Sequence, residues 1–173
     1  MIEFILLVIA ILAAVLLYAN SRPDTFHIER SAQIKARPEK VFSLINDFRG
    51  FNSWNPWLKK DPQTVGSYTG PASGVGAAYA WESKKIGTGR MEIIESQPTS
   101  NVKFKLDFLK PFEAHNTAEF ALTPLNDGTN VTWSMYGCST LMSKVMGLFM
   151  SMDKMVGNDF EAGLSNMKTL AEQ

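Results

Sequence analysis

At 173 residues and 19.2 kDa, the chain has room for one domain and a short additional segment. Hydrophobic residues make up 45% and charged residues 20%, which supports a packed core and excludes wholesale disorder. Lys+Arg and Asp+Glu total 17 each, so the basic excess that draws proteins to nucleic acid is missing. The single Cys138 cannot close an internal disulfide, and His27 and His115 show no metal-ligand spacing. No nucleic-acid partner, metal or other cofactor is therefore expected.

Ile2 to Ala19 is apolar throughout except for Glu3. At about 1.5 Å per residue, such a run reaches roughly 27 Å as a helix, close to the hydrocarbon thickness of a bilayer. A buried core helix would keep a polar stripe, and none is present. A cleaved signal peptide would begin with basic residues and end on small ones, whereas this segment begins Met-Ile-Glu and ends Leu17-Tyr18-Ala19. The expectation is a transmembrane anchor over residues 1–22, with Tyr18 and Arg22 at the interface and Pro23 ending the helix. The folded part, residues 23–173, follows on the cytoplasmic side, because the nearest cationic side chains, Arg22, Arg30 and Lys35, all lie after the anchor.

From Phe26 the periodicity changes to two. Phe26, Ile28, Ala32 and Ile34 alternate with polar residues as a half-buried strand requires. Pro38 and Glu39 open a helix, and Val41, Phe42, Leu44 and Ile45 supply its buried face. The stretch Phe51-Asn52-Ser53-Trp54-Asn55-Pro56-Trp57 predicts a short second helix broken at Pro56. Asn55 stands before a proline and is pushed out of the helical region, so Trp54 and Trp57 point in different directions. One is expected to fill the core and the other to border a cavity mouth.

Strands are predicted at 77–84, 88–96, 102–109, 112–123 and 129–137, separated by glycine, proline and asparagine turn signals. Val102, Phe104, Leu106 and Phe108 share one face, as do Ala114, Asn116, Ala118, Phe120 and Leu122, and Val131, Trp133 and Met135. Lys103, Lys105, Asp107, Glu119, Thr132 and Ser134 occupy the opposite, wet face, the pattern of an antiparallel sheet covered on one side. Met152, Met155, Val156, Phe160, Leu164, Met167 and Leu170 recur at helical spacing and supply the cover. The apolar piece 141–150 before them suits a lid or a second membrane contact.

This order, together with "IKARPEKVFSLINDF" at 34–48, "WNPW" at 54–57, "GRMEIIESQP" at 89–98, "FALTPLNDGTNVTWSMYG" at 120–137 and "MDKMVGNDFEAGLSNMKTL" at 152–170, resembles the START-like, or SRPBCC, superfamily and within it the polyketide cyclase/dehydrase proteins. The resemblance implies an α+β helix-grip fold: a curved antiparallel sheet gripping a long C-terminal helix, with an apolar cavity between them. It also implies a hydrophobic small molecule or lipid as partner. Alternation independently names a lining of Phe104, Leu106, Phe108, Phe120, Trp133 and Met135 from the sheet and Met155 and Phe160 from the helix, to which Trp54 and Trp57 are added at the rim.

A catalytic constellation is harder to find. Asn116 is the one clearly polar residue on the predicted inner face, suited to orient a ligand carbonyl or to pair with backbone. His115 and Glu119 fall on the wet face, and Glu92 and Glu95, three apart across an alternating strand, are expected on opposite faces. Gly74-Val75-Gly76 and Gly87-Thr88-Gly89 open no helix and cradle no phosphate. The leading expectation is a membrane-anchored module binding a hydrophobic small molecule or lipid. The alternatives are an enzyme of polyketide cyclase type acting on a hydrophobic substrate, or a protein-interaction or chaperone-like module.

Overall fold

Seven antiparallel strands in the order β1-β7-β6-β5-β4-β3-β2 form one open sheet in the computed structural model. It describes residues 1–173, apart from the side chain of Phe149. The helix α1 (Ile2–Asn20) is followed by β1 (Thr25–Ile34) and three short helices, α2 (Pro38–Ser43), α3 (Phe48–Trp54) and α4 (Pro56–Lys60). Next come β2 (Val65–Thr69), β3 (Ala78–Ser83), β4 (Gly87–Gln97), β5 (Asn101–Lys110), β6 (Ala114–Leu125) and β7 (Gly128–Cys138). The chain ends in α5 (Leu141–Phe149) and α6 (Met152–Ala171). This is the helix-grip architecture: α6 lies across the inner sheet face, most closely along β1, and buries Phe160, Leu164 and Met167.

Each local signal has a visible cause. Pro38 and Pro56 stand at the starts of α2 and α4, where a missing N–H costs nothing. Asp47 caps α3 by accepting from Arg49 N, and Ser151 caps α6 by accepting from Lys154 N. The helix predicted across Phe51–Trp57 with a break at Pro56 divides there into α3 and α4, because Asn55 adopts φ −51° and ψ 121°, ends α3 and caps α4 by accepting from Trp57 N. The carbonyl of Trp54, freed at the end of α3, accepts from Asn166 Nδ2 on α6 at 3.0 Å, which ties the corner to the long helix.

Two expectations are corrected, and one strand is added. Glu92 and Glu95 share a face: Glu92 pairs with Lys105 and Glu95 with Lys103, because a bulge between Ile93 and Glu95 inserts one extra residue. Ser134 is buried although it faces outward, between the longer Glu29 and Glu119 on the adjacent strands. The strand β2 carries no alternation, since all five of its residues are exposed; it exists by pairing with β3 alone.

Arg30 shows what parity hides on an edge strand. It shares the side of Ile28 and Ala32, yet reaches past the sheet edge to α6, where Nε donates to Glu161 at 2.8 Å and Nη1 to Asp153 at 3.0 Å. Hydrogen bonds from the Arg30 guanidinium hold the Asp153 carboxyl below its ordinary range. Gly157 of α6 supplies the room, since a Cβ there would strike the guanidinium.

Candidate functional site

The inner sheet face is filled at one end and hollow at the other. At the filled end, Ile34, Ile93, Val102, Leu122 and Val131 meet Val41, Ile45, Met167 and Ala171, all buried. At the hollow end a cavity of about 640 Å³ lies between the sheet and α6. The change falls within single strands. Along β6 the inward residues Ala114, Asn116 and Ala118 line the cavity, whereas Phe120 and Leu122 belong to the packed half. Side-chain volume therefore sets where the void begins. On β7 the neighbour of Asn116 is Gly137, where any Cβ would collide with Asn116 Oδ1.

The cavity floor is aromatic. Phe51, Phe104, Trp133 and Phe160 line it, and Trp133 stacks on Phe160 with centroids 4.0 Å apart. Phe51 meets Phe104 edge-on at 5.6 Å and Trp133 at 6.2 Å. Phe108, Met135 and Met155 line the walls, so eight of the ten predicted contact residues, Trp57, Phe104, Phe108, Asn116, Trp133, Met135, Met155 and Phe160, surround one space. Trp54 and Phe120 do not. Both sit in the layer behind the floor, with Trp54 against Trp133 at 5.4 Å and Phe120 stacked on Trp133 at 4.9 Å. Trp54 is held there because its Nε1 donates to the Leu44 carbonyl at 2.8 Å. Alternation assigned Phe120 to the right face but could not say on which side of the floor it falls.

Trp57 packs instead against the floor rings, edge-on to Trp133 at 5.6 Å and Phe160 at 6.3 Å. It lines the cavity, and its Nε1 donates to Asp159 of α6 at 2.9 Å, beside Lys60 Nζ at 2.7 Å from the same oxygen. The polar groups deeper inside are few. Among the described residues that line the cavity, Asn116 Oδ1, Trp81 Nε1 and Trp133 Nε1 are buried without a hydrogen-bond partner. Tyr79 also lines the space, and burial, with a smaller contribution from Tyr68, pushes its phenol above the ordinary value, so it remains a donor at neutral pH. His115 is outside: its Nδ1 lies 2.7 Å from Asp107 on the wet face. This arrangement can enclose an apolar body and offer it a few oriented polar atoms.

Residues that sequence reasoning missed cluster at the mouth. Arg22 and Pro23 after α1, Lys85 and Ile86 in the β3–β4 turn, Cys138 at the end of β7 and Lys144 of α5 all line the opening. All but Lys144, which lies within α5, come from turns and element ends, where periodicity carries no signal. Lys144 buries its stem, only 6% of its side chain exposed, and reaches Asp24 at 2.6 Å. The hydrogen bond from Lys144 holds the Asp24 carboxyl below its ordinary range.

Comparison with solved structures shows the same architecture. A Chromobacterium violaceum protein, CV1439, aligns over 88% of this chain and 99% of its own with TM-score 0.63 and 16% identity. The Aha1 protein of Colwellia psychrerythraea, solved as a dimer in solution, aligns over 85% and 96% with TM-score 0.59 and 18% identity. The di-domain ARO/CYC protein StfQ of the steffimycin biosynthetic pathway aligns over 86% of this chain and 51% of its own, with TM-score 0.61 and 11% identity. At these identities the likeness concerns the fold. No curated protein matches the sequence. Residues 25–172, which contain the whole sheet, the cavity and α6, match the family model described as polyketide cyclase / dehydrase and lipid transport, and the chain belongs to that family.

Proposed function

We propose that this chain is a membrane-tethered domain that holds a hydrophobic small molecule or lipid between the sheet and α6. The anchor is residues 1–22, and the binding domain, residues 23–173, faces the cytoplasm. The observation that carries this reading is the cavity itself: about 640 Å³, floored by aromatic rings, walled by methionine and opening beside the first residues after α1. Volume and lining suit a ligand of small-molecule size, and methionine adapts to irregular apolar shapes. The α1 helix is long and apolar enough to cross a membrane, and only Ala19 in it is buried by the rest of the protein.

The unpartnered Trp81 Nε1, Trp133 Nε1 and Asn116 Oδ1 refine the ligand class. A buried donor without a partner costs about 1–3 kcal/mol, so a ligand that brings oxygen to the indoles gains more than a pure hydrocarbon. The full chain, purified in a mild detergent, should carry a co-purifying amphiphile by native mass spectrometry. Ala118→Phe, which places a ring in the hollow half, should abolish it while leaving the thermal midpoint unchanged or higher. An unliganded full chain, or equal occupancy in Ala118→Phe, would sink the reading. Labelling of Cys138 from the cytoplasmic side only, in inverted and right-side-out vesicles, checks the orientation.

A cyclase-type reaction is the second reading, favoured by the Asn116 carboxamide with its unpartnered oxygen inside the cavity. Turnover of a hydrophobic polyketide-like substrate that vanishes in Asn116→Ala, with ligand occupancy retained, would favour it over binding alone.

A further inference from the structure

The mouth of the cavity and the end of α1 are the same place. The helix ends at Asn20, and Arg22 and Pro23 already line the opening. Two residues span at most about 7 Å, so a domain tethered this way cannot carry its mouth away from the surface in which α1 is seated. Two further contacts fix the orientation. The α1 helix packs directly against α5, and the connecting segment is pinned to α5 by the ion pair of Asp24 with Lys144. Arg22 lies over the Tyr18 ring, 5.2 Å from its centroid, so the last turn of α1 ends in the aromatic and cationic pair suited to a membrane interface.

The rim around this opening has the chemistry of a lipid-facing surface. Leu141, Met142 and Met150 at the ends of α5, Met155 of α6, Leu109 at the end of β5 and Phe112 in the β5–β6 turn are all exposed. With them stand Arg22, Lys60, Lys85 and Lys144, which line the cavity, and exposed Lys84 in the β3–β4 turn and Lys110 at the end of β5. With the pairs Asp24–Lys144 and Asp159–Lys60 set aside, Arg22, Lys84, Lys85 and Lys110 stand against Glu113 of the β5–β6 turn, so the rim keeps a basic excess although the whole chain is neutral. Apolar side chains set among cations suit insertion just below the headgroups of an anionic leaflet, where each free cation is drawn to the surface charge.

We infer that this rim, with α5 at its centre, docks on an anionic lipid surface, so that the cavity opens onto the bilayer and its ligand enters from the membrane rather than from water. The inference rests on the anchor and on the cavity proposed above.

Cys138 supplies the probe, because it is the single cysteine, is exposed and lines the mouth. The full chain labelled there with bimane is placed in phosphatidylcholine nanodiscs, with or without phosphatidylserine, containing a lipid that carries a nitroxide on its headgroup. Docking predicts quenching that strengthens with phosphatidylserine and weakens at high salt. It also predicts loss of most of the quenching in Met142→Glu, and of its phosphatidylserine dependence in Lys84→Glu/Lys85→Glu. These residues are exposed, so the variants should retain the wild-type circular dichroism. A label that stays in water in both lipids overturns docking while leaving the cavity reading to the mass-spectrometry test. Failure of the chain to enter discs overturns the anchor and the docking together. Two chains per disc with label-to-label proximity in place of lipid quenching would assign the rim to a second copy and overturn the lipid surface.

Discussion

The two halves of the inner sheet face are built from the same strands by the same alternation, yet one is solid and the other hollow. In the solid half, α2 and α3 cover the sheet, and Phe48, Trp54 and Phe120 interlock with the floor residues Phe51 and Phe104 through edge-on and tilted ring pairs 4.7–6.3 Å apart. In the hollow half, Ala114, Asn116, Ala118 and Gly137 withhold volume, and the cover consists of α5, the first turns of α6 and the segment after α1. Alternation selects a face; side-chain size and the covering helices decide whether that face is filled. The solid half carries stability, and the hollow half is left free to carry a ligand.

Truncation tests this division most strongly. Trp54→Ala in the solid half should cost about 3–5 kcal/mol by urea unfolding of the full chain, since it opens a void in a tightly packed layer. Phe108→Ala in the hollow half enlarges a space that already exists and should cost less than half as much; equal losses would break the comparison. Overpacking gives the complementary signal. Gly137→Ala drives a methyl group into Asn116 Oδ1 and should destabilise by about 1–3 kcal/mol, and adding Asn116→Ala should recover part of that loss.

The junction between the halves comes next in size. Trp57→Phe keeps the ring but removes the donor to Asp159, and it should cost about 1.5 kcal/mol by the same measurement. Lys60 continues to neutralise that carboxylate, so a larger loss would mean that Trp57 also closes the cavity floor.

The smallest expected effect lies on the wet face. The hydrogen bond to Asp107 raises the His115 pKa above its ordinary 6.5, with Glu113 adding to the shift. Because the folded value is the higher one, the associated stability is complete below about pH 6.5 and fades as pH rises through the raised value. His115 is largely exposed, so the gain is modest. The His115 titration followed by NMR should move down in Asp107→Asn, and ligand occupancy should be indifferent to both. A pH-dependent occupancy that followed His115 would connect the two faces and break their separation.

Much of this was legible in the sequence because the signals are local and periodic. The long run of α6 from Met152, the inner faces of β5, β6 and β7, the break at Asn55-Pro56 and the apolar stretch of α1 all follow from spacing, side-chain type and backbone restriction within a few residues. The resemblance carried by the 34–48 and 120–137 stretches added the grip architecture, and the turn between Trp54 and Trp57 told that the two rings diverge but not which of them reaches the cavity.

What the sequence could not fix depends on more than one element at a time. The bulge that brings Glu92 and Glu95 to one face is a property of the β4–β5 register. The reach of Arg30 to Asp153 and Glu161 depends on β1 being an edge strand that faces α6. Phe120 and Trp54 lie behind the cavity floor because Trp133 and Phe160 stack in front of them, a contact between β7 and α6 that no local pattern encodes. The mouth is assembled from the segment after α1, the β3–β4 turn, the end of β7 and α5, which come together only in the folded chain. Short-range periodicity determines which atoms leave water, but only the packing of distant elements determines where they leave a space.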